Sequence, residues 1–414
     1  MIEKYYDGAI EQVAAGLGTV EKNHLLVRYS GQFSVENLND TKQLEKNEDI
    51  FVQVHEFETG EITCAYEPYL TMICDGFRRY MTGTFEEFME TCDVYYLHRP
   101  VLLGYFNQDN TGREEIILLD EVAYEQERML AALERMLCAI ADRHPVLFVL
   151  NRFQLASKST MQLTARFLKC ENCNIGLVLG VSDIQAMPEF LVPDWEMLYE
   201  TLDDGSKIYH IGNSGRKKEE TIDDEKYVDY GSEKVYRKLQ NMVEFLDFDQ
   251  AAYYLETIER KIKFDNLLVD DAARFRMWLL FVKVSILRQD IPKALEICED
   301  LEKIHLAGKE EECAYEQDYL IATAYMYQGK LKEALEMAGE TYRIAGKMSD
   351  DYRMFLSELL EAKIQMSGWY NIFFCAQDVK IKESLIQNLI RYNYRNHLAH
   401  VYIYAYDNKP EIVK

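Results

Sequence analysis

Positive charge is scarce in this chain: 46 lysines and arginines face 71 aspartates and glutamates, a formal charge of -25 over 414 residues. An excess of that size repels a phosphate backbone unless one face gathers the bases, so nucleic acid is not expected as a partner. Long apolar runs are missing too. No stretch approaches the roughly 18 to 20 apolar residues of a membrane span, and no membrane association is expected. The opening MIEKYYDGAIEQVAAGLG has neither a basic leader region nor an unbroken apolar one, which points to a cytoplasmic chain. Proline is rare, at 7, and glycine modest, at 20, which excludes collagenous and low-complexity classes. The 9 cysteines are odd in number and scattered, as reduced thiols are, and Cys138 and Cys298 fall in patterns that look buried.

What is present is enough apolar material, 48% of residues, for two to three domains with cores of their own. The first half alternates strand-like and helix-like segments. The runs 24–30, 49–57, 145–152, 174–183 and 207–212 read as strands, several of them continuously apolar, and such strands separated by helices signal a parallel sheet covered on both faces. Over 114–141, Ile116, Leu119, Ala123, Leu130, Leu133, Leu137 and Ile140 recur at helical spacing, and Pro145 ends that helix before a strand starting at Val146. The polar, charge-dense stretch 213–234 reads as a linker, which places an α/β domain at 1–212 and an all-α domain at 235–414.

The helical half repeats itself. QGKLKEALEMA (328–338) aligns with RQDIPKALEIC (288–298), so Ala334 falls 40 residues after Ala294, and Ala252 lies another 42 back. Gly329 recurs as Gly368 and as Asn408, each at a turn closing a first helix. A fixed period of paired helices is the mark of a solenoid, in which each pair buries its apolar face by stacking on its neighbours. The chain ends in what reads as the first helix of a pair, so Val401, Ile403 and Ala405 are expected to be exposed. That exposure implies a homo-oligomer or further C-terminal domains.

The segment YLIATAYMYQGKLKEALEMAGETYRIA, with Ala322, Tyr325, Gly329, Ala334 and Ala338, resembles a tetratricopeptide repeat, and the period near 40 is similar to that of maltose-regulator-type bacterial signalling proteins. The first half resembles the AAA-like, P-loop-type ATPase domain of the same signal-transduction class. The resemblance is carried by PVLFVLNRFQLASKSTMQLTARFLKCENCNIGLVLGVSD: strand, polar stretch with Ser157, helix, and a strand ending in Ser182 and Asp183. It implies a nucleotide site, and here the chain departs from it. Asn151 and Arg152 stand where the metal-organising and catalytic carboxylates are expected, and no GxxxxGK[ST] string occurs anywhere. That string supplies backbone N–H groups to the phosphates, a lysine to the β and γ oxygens and a hydroxyl to magnesium. Ser30, Gly31 and Gln32 follow the first strand instead. Together with Asn151, Arg152 and Ser182 they form the degenerate remnant of a nucleotide site. No catalytic residue, no metal and no cofactor is expected, while nucleotide binding without hydrolysis, by ATP, stays open.

Other motifs read blandly. Ile116–Ile117–Leu118–Leu119–Asp120–Glu121 matches the literal Walker B pattern but runs on into a helix, which places the two acids on a solvated face. Cys170 and Cys173 form a lone CxxC without a second ligand pair. His397 and His400 lack the glutamate of a zinc-binding helix, and Ser214–Lys218 sits in the linker. The expected function is therefore a non-catalytic signalling or scaffold protein. Its pseudo-ATPase domain supports repeats that bind a protein, a peptide or a small effector. The alternative is an active signal-transduction NTPase governing transcription or another output.

Overall fold

The computed structural model describes residues 2–17, 24–29, 49–58, 60–109, 121–170, 174–182, 187–203, 207–211, 229–265, 267–367, 380–408 and 411–413. The chain forms two compact units. One holds a parallel sheet with its helices and takes in Arg237–Gln250; the other is mostly helical and holds Tyr230–Tyr236 and Ala251–Lys414. Arg237–Gln250 thus packs with the sheet although it lies downstream of 213–234, a stretch of which 212–228 falls outside the described residues.

Five strands build the sheet: β1 (Leu25–Tyr29), β2 (Phe51–Glu56), β3 (Val146–Asn151), β4 (Ile175–Val181) and β5 (Lys207–Ile211). Their order is β2-β3-β4-β1-β5, and every neighbouring pair is parallel. The continuously apolar runs predicted to be strands occupy the middle: every residue of β3 and β4 is buried, as a sheet covered on both faces requires. On one face, α1 (Ile2–Gly16) lays Ile10 and Val13 against Val27, Tyr29, Leu147, Val149 and Val178. Gly176 permits this approach, because a Cβ there would sit 2.5 Å from Val13 Cγ1. On the other face lie α2 (Tyr69–Tyr80), α5 (Val122–Ala141) and α6 (Lys158–Lys169), after two short helices, α3 (Phe85–Thr91) and α4 (Arg99–Asn107). Tyr69 meets the rings of Phe148 and Phe167 edge-on, at 4.7 and 5.4 Å, and its hydroxyl shares a 2.6 Å hydrogen bond with Thr164. Leu130, Leu133, Leu137 and Ile140 form the buried stripe of α5 as their spacing predicts, whereas Ala123 is exposed because the first turn projects beyond the sheet-facing stripe. After α6 and β4, α7 (Val192–Asp203) leads to β5.

Helices follow: α8 (Glu233–Glu244), α9 (Phe248–Phe264), α10 (Asp271–Leu287), which packs on α11 (Ile291–Leu301), and α12 (Glu310–Gln328), which packs on α13 (Leu331–Met348). The turns after α8, α10 and α12 each hold one left-handed residue, Leu246, Gln289 and Gly329, at φ 66°, 62° and 84°. Only the last is glycine. Those turns are 43 and 40 residues apart, so Ala251, not Ala252, is the counterpart of Ala294 and Ala334, and all three are fully buried. Small side chains there let the helices cross closely. The last elements are α14 (Asp351–Met366), β6 (Lys380–Lys382), α15 (Glu383–Arg391), α16 (Arg395–Asn408) and β7 (Glu411–Val413), with β6 and β7 paired in parallel. Gly368 lies outside the described residues. Val401 is buried beside Phe355, Leu389 and Tyr394, contrary to expectation, because α14 and α15 cover that side of α16; Ile403 is exposed and Ala405 half-buried. Cys298 is buried as expected, and Cys138 is only half-buried. No helix among the described residues is long and apolar enough to cross a membrane.

Candidate functional site

In an open parallel sheet, ligands bind outside the carboxyl ends of the strands, where the direction of the connections reverses. Here the chain leaves β1 toward β2 on one side, and leaves β4, its neighbour, toward β5 on the other, so the reversal falls between β1 and β4. Ser30, Gly31 and Gln32 lie outside the described residues. Asn151, Arg152 and Ser182 stand at the carboxyl ends of β3 and β4, on the edge where the sequence reading puts them.

The structure ties each of the three to a residue the sequence reading did not select. Odd positions of β1 and β3 face α1, so the Tyr29 side chain reaches past β4, and its hydroxyl donates to Asn151 Oδ1 at 2.6 Å. Both residues are buried, Asn151 completely. Gln154 lies in the short 3-10 turn Phe153–Leu155. Its Nε2 donates to Ser182 Oγ at 2.8 Å, and its Oε1 accepts the Ser182 backbone N–H at 3.4 Å. Arg152 Nε approaches Glu56 Oε1, at the end of β2, to 3.5 Å. Arg152 is also left-handed, at φ 53°, a strained geometry for a residue with a Cβ. Burial pushes the Tyr29 phenol up to about 12, against the opposing pull of the Arg152 guanidinium and of hydrogen bonds with Asn151 and Ser182. The phenol therefore remains a neutral donor at physiological pH.

Chemically, this edge is a set of polar groups bonded to one another. The one described carboxylate in this set, Glu56, faces a guanidinium instead of standing with a second acid. Among the described residues no group of three His, Cys, Asp or Glu side chains is placed to hold a metal ion. The signal that could have found Tyr29, Glu56 and Gln154 is positional: the first two end strands, and the third opens the connection from β3.

The remaining motifs are scattered. Of the literal Walker B string only Glu121 is described, half-buried at the start of α5. Cys170 caps the end of α6, and Cys173 lies outside the described residues, as do Ser214–Lys218. His397 is buried, with Nε2 3.4 Å from Lys363 Nζ, and His400 is exposed. A separate ionic cluster joins two enclosed side chains to an exposed one: His98 Nε2 lies 3.1 Å from Glu125 Oε2, both buried, and the exposed Arg128 donates to Glu125 Oε1 at 2.5 Å. Burial pushes the Glu125 carboxyl up, but the bonds and charges of His98 and Arg128 bring it below its ordinary value. No protein-family model matches the chain, and no curated protein matches it in sequence.

Proposed function

We propose that this chain is a non-catalytic signalling or scaffold protein, in which a degenerate AAA-type sheet domain supports tetratricopeptide-like repeats that bind a protein, a peptide or a small effector. One observation carries the proposal. At the carboxyl end of β3, where the resemblance expects acids that organise magnesium, stand a fully buried Asn151 bonded to Tyr29 and an Arg152 paired with Glu56. A neutral amide is a poor ligand for magnesium, and a cation repels it. The wholly parallel sheet, with its connection reversal between β1 and β4, supports the AAA-type part of the reading. Buried Ala251, Ala294 and Ala334, each five residues past a left-handed turn, support the repeat part. Stacked helix pairs offer long surfaces suited to holding a partner segment.

The test uses the purified full chain with ATP and magnesium, read by titration calorimetry and by release of inorganic phosphate. The expected outcome is neither binding heat nor steady phosphate release. Phosphate release that stops on changing Gly31 would instead establish the alternative, an active signal-transduction NTPase.

A further inference from the structure

Two helices begin at one buried carboxylate, Asp247: α6, and α9, whose first turn belongs to the sheet-bearing unit. The first-turn amides of α6 need acceptors, since no preceding helical turn supplies them. Its own cap serves one: Ser157 Oγ accepts the Thr160 N–H at 3.2 Å. The other two are served from the turn between α8 and α9. Asp247 Oδ2 accepts the Ser159 N–H at 3.0 Å, and Gln250 Oε1 accepts the Lys158 N–H at 3.3 Å. Asp247 Oδ1 also accepts the Gln250 N–H at 3.4 Å, so the same side chain caps α9. Lys158 Nζ closes the joint on Asp249 Oδ2 at 2.5 Å. Around it, Phe245 meets Tyr66 and Tyr105 edge-on, Gln126 Nε2 donates to Leu246 O at 2.8 Å, and Lys238 Nζ donates to Ile62 O at 2.7 Å.

The other end of this joint is the carboxyl edge of the sheet. From Asn151 the chain passes through left-handed Arg152, the 3-10 turn bearing Gln154, and Ser157 into α6, and side chains anchor it along the way. Gln154 is fastened to Ser182, and Thr63 Oγ1 donates to Leu155 O at 3.2 Å. A connection this short and this anchored has no slack: a shift at the end of β3 displaces the first turn of α6, and with it the N–H groups that Asp247 and Gln250 hold. Non-glycine residues in strained backbone mark both ends, Arg152 at φ 53° and Leu246 at φ 66°, so releasing the bonds also releases strain.

We propose that the connection 152–159 is a latch that couples the carboxyl edge of the sheet to the α8–α9 turn. Whatever draws Gln154 away from Ser182 loosens Asp247 from Ser159, and tightening either contact tightens the other. Residues 248–250 open α9 and belong to the sheet-bearing unit, so the latch sets how firmly that first turn is held. The coupling holds whether the edge receives a nucleotide, another ligand or none.

Amide hydrogen exchange on the full chain tests it. Ser182→Ala removes the acceptor of Gln154 Nε2 at a half-buried position. It is expected to speed exchange at the Ser159 and Gln250 amides by about fivefold or more, the lower end of typical coupling between sites. Thr84→Ala, which removes an exposed cap elsewhere in the same unit, is expected to leave those two amides unchanged. In the reverse direction Asp247→Asn is expected to speed exchange at the Ser182 amide by a similar factor. Acceleration in Ser182→Ala confined to the Gln154 and Ser182 region would overturn the proposal. So would an equal acceleration at Ser159 and Gln250 in Thr84→Ala. Should Asp247→Asn fail to fold, the Ser182→Ala comparison decides alone.

Discussion

The hydrogen bond between Tyr29 and Asn151 joins two strands that are separated by a third, and its worth can be measured by a double-mutant cycle. Tyr29→Phe removes one oxygen and no bulk, leaving the fully buried Asn151 carbonyl short of a donor 2.6 Å away. Losing one partner of a buried pair costs about 1–3 kcal/mol, whereas replacing both with apolar groups of similar shape is close to neutral. Both side chains are buried, and a cost of about 2 kcal/mol is expected for Tyr29→Phe. Asn151→Leu should cost less, because the phenol keeps its hydrogen bond with Ser182. The double variant should cost clearly less than the sum, with a coupling of about 1–2 kcal/mol. Hydrogen exchange of the β1 and β3 amides across a urea series reads this locally, which matters in a chain with two units. Additivity within about 0.5 kcal/mol would refute the reasoning. The bond also carries a pH signature. With the phenol raised to about 12 in the folded chain, its contribution is complete below the ordinary tyrosine value and is lost only as pH rises through about 12.

Four further outcomes follow from the same geometry. Gly176→Ala should destabilise the sheet-bearing unit by about 1–3 kcal/mol, read by urea unfolding, because the new methyl lies 2.5 Å from Val13 Cγ1 and must push α1 outward. Burial, with Glu340 and Glu302 nearby, raises Asp318 to about 6, so its contribution is present below the ordinary aspartate value and is lost as pH rises through about 6. Asp318→Asn should therefore stabilise the helical unit at pH 8, by about 1 kcal/mol once screening on its wet side is discounted, and should do nothing at pH 3.5. Glu125→Ala removes the acceptor facing the buried His98 and should cost about 1–3 kcal/mol in thermal unfolding, since Arg128 is exposed and returns to solvent; a loss under about 0.5 kcal/mol would show that the His98–Glu125 contact does not hold the fold. Burial pushes the Cys74 and Cys298 thiols up to about 12 and Cys92 to about 11, so iodoacetamide at pH 8 should label none of them until urea unfolds the chain.

The sequence reading succeeded where a pattern repeats along one element. VLFVLN and IGLVLGV announce buried central strands because each is apolar on both faces, and the α5 stripe at Leu130, Leu133, Leu137 and Ile140 follows from helical spacing alone. It failed where two elements meet. Aligning letters put Ala252 in register with Ala294, but the left-handed turn residues show Ala251 in that place, since register is set by where the helices pivot. Val401 was expected to lie bare, and neighbouring helices cover it.

At the candidate site, the amino-acid order alone determined that Asn151, Arg152 and Ser182 end strands and that acids are absent from that position of β3. Strand ends are local events, marked by where apolar runs stop. Only the tertiary structure decided that Tyr29 reaches Asn151, that Gln154 grips Ser182, and that Asp247 serves a helix lying far upstream in the chain. Those pairings depend on strand order and on which side chains share a face, and neither is written in any local stretch of sequence.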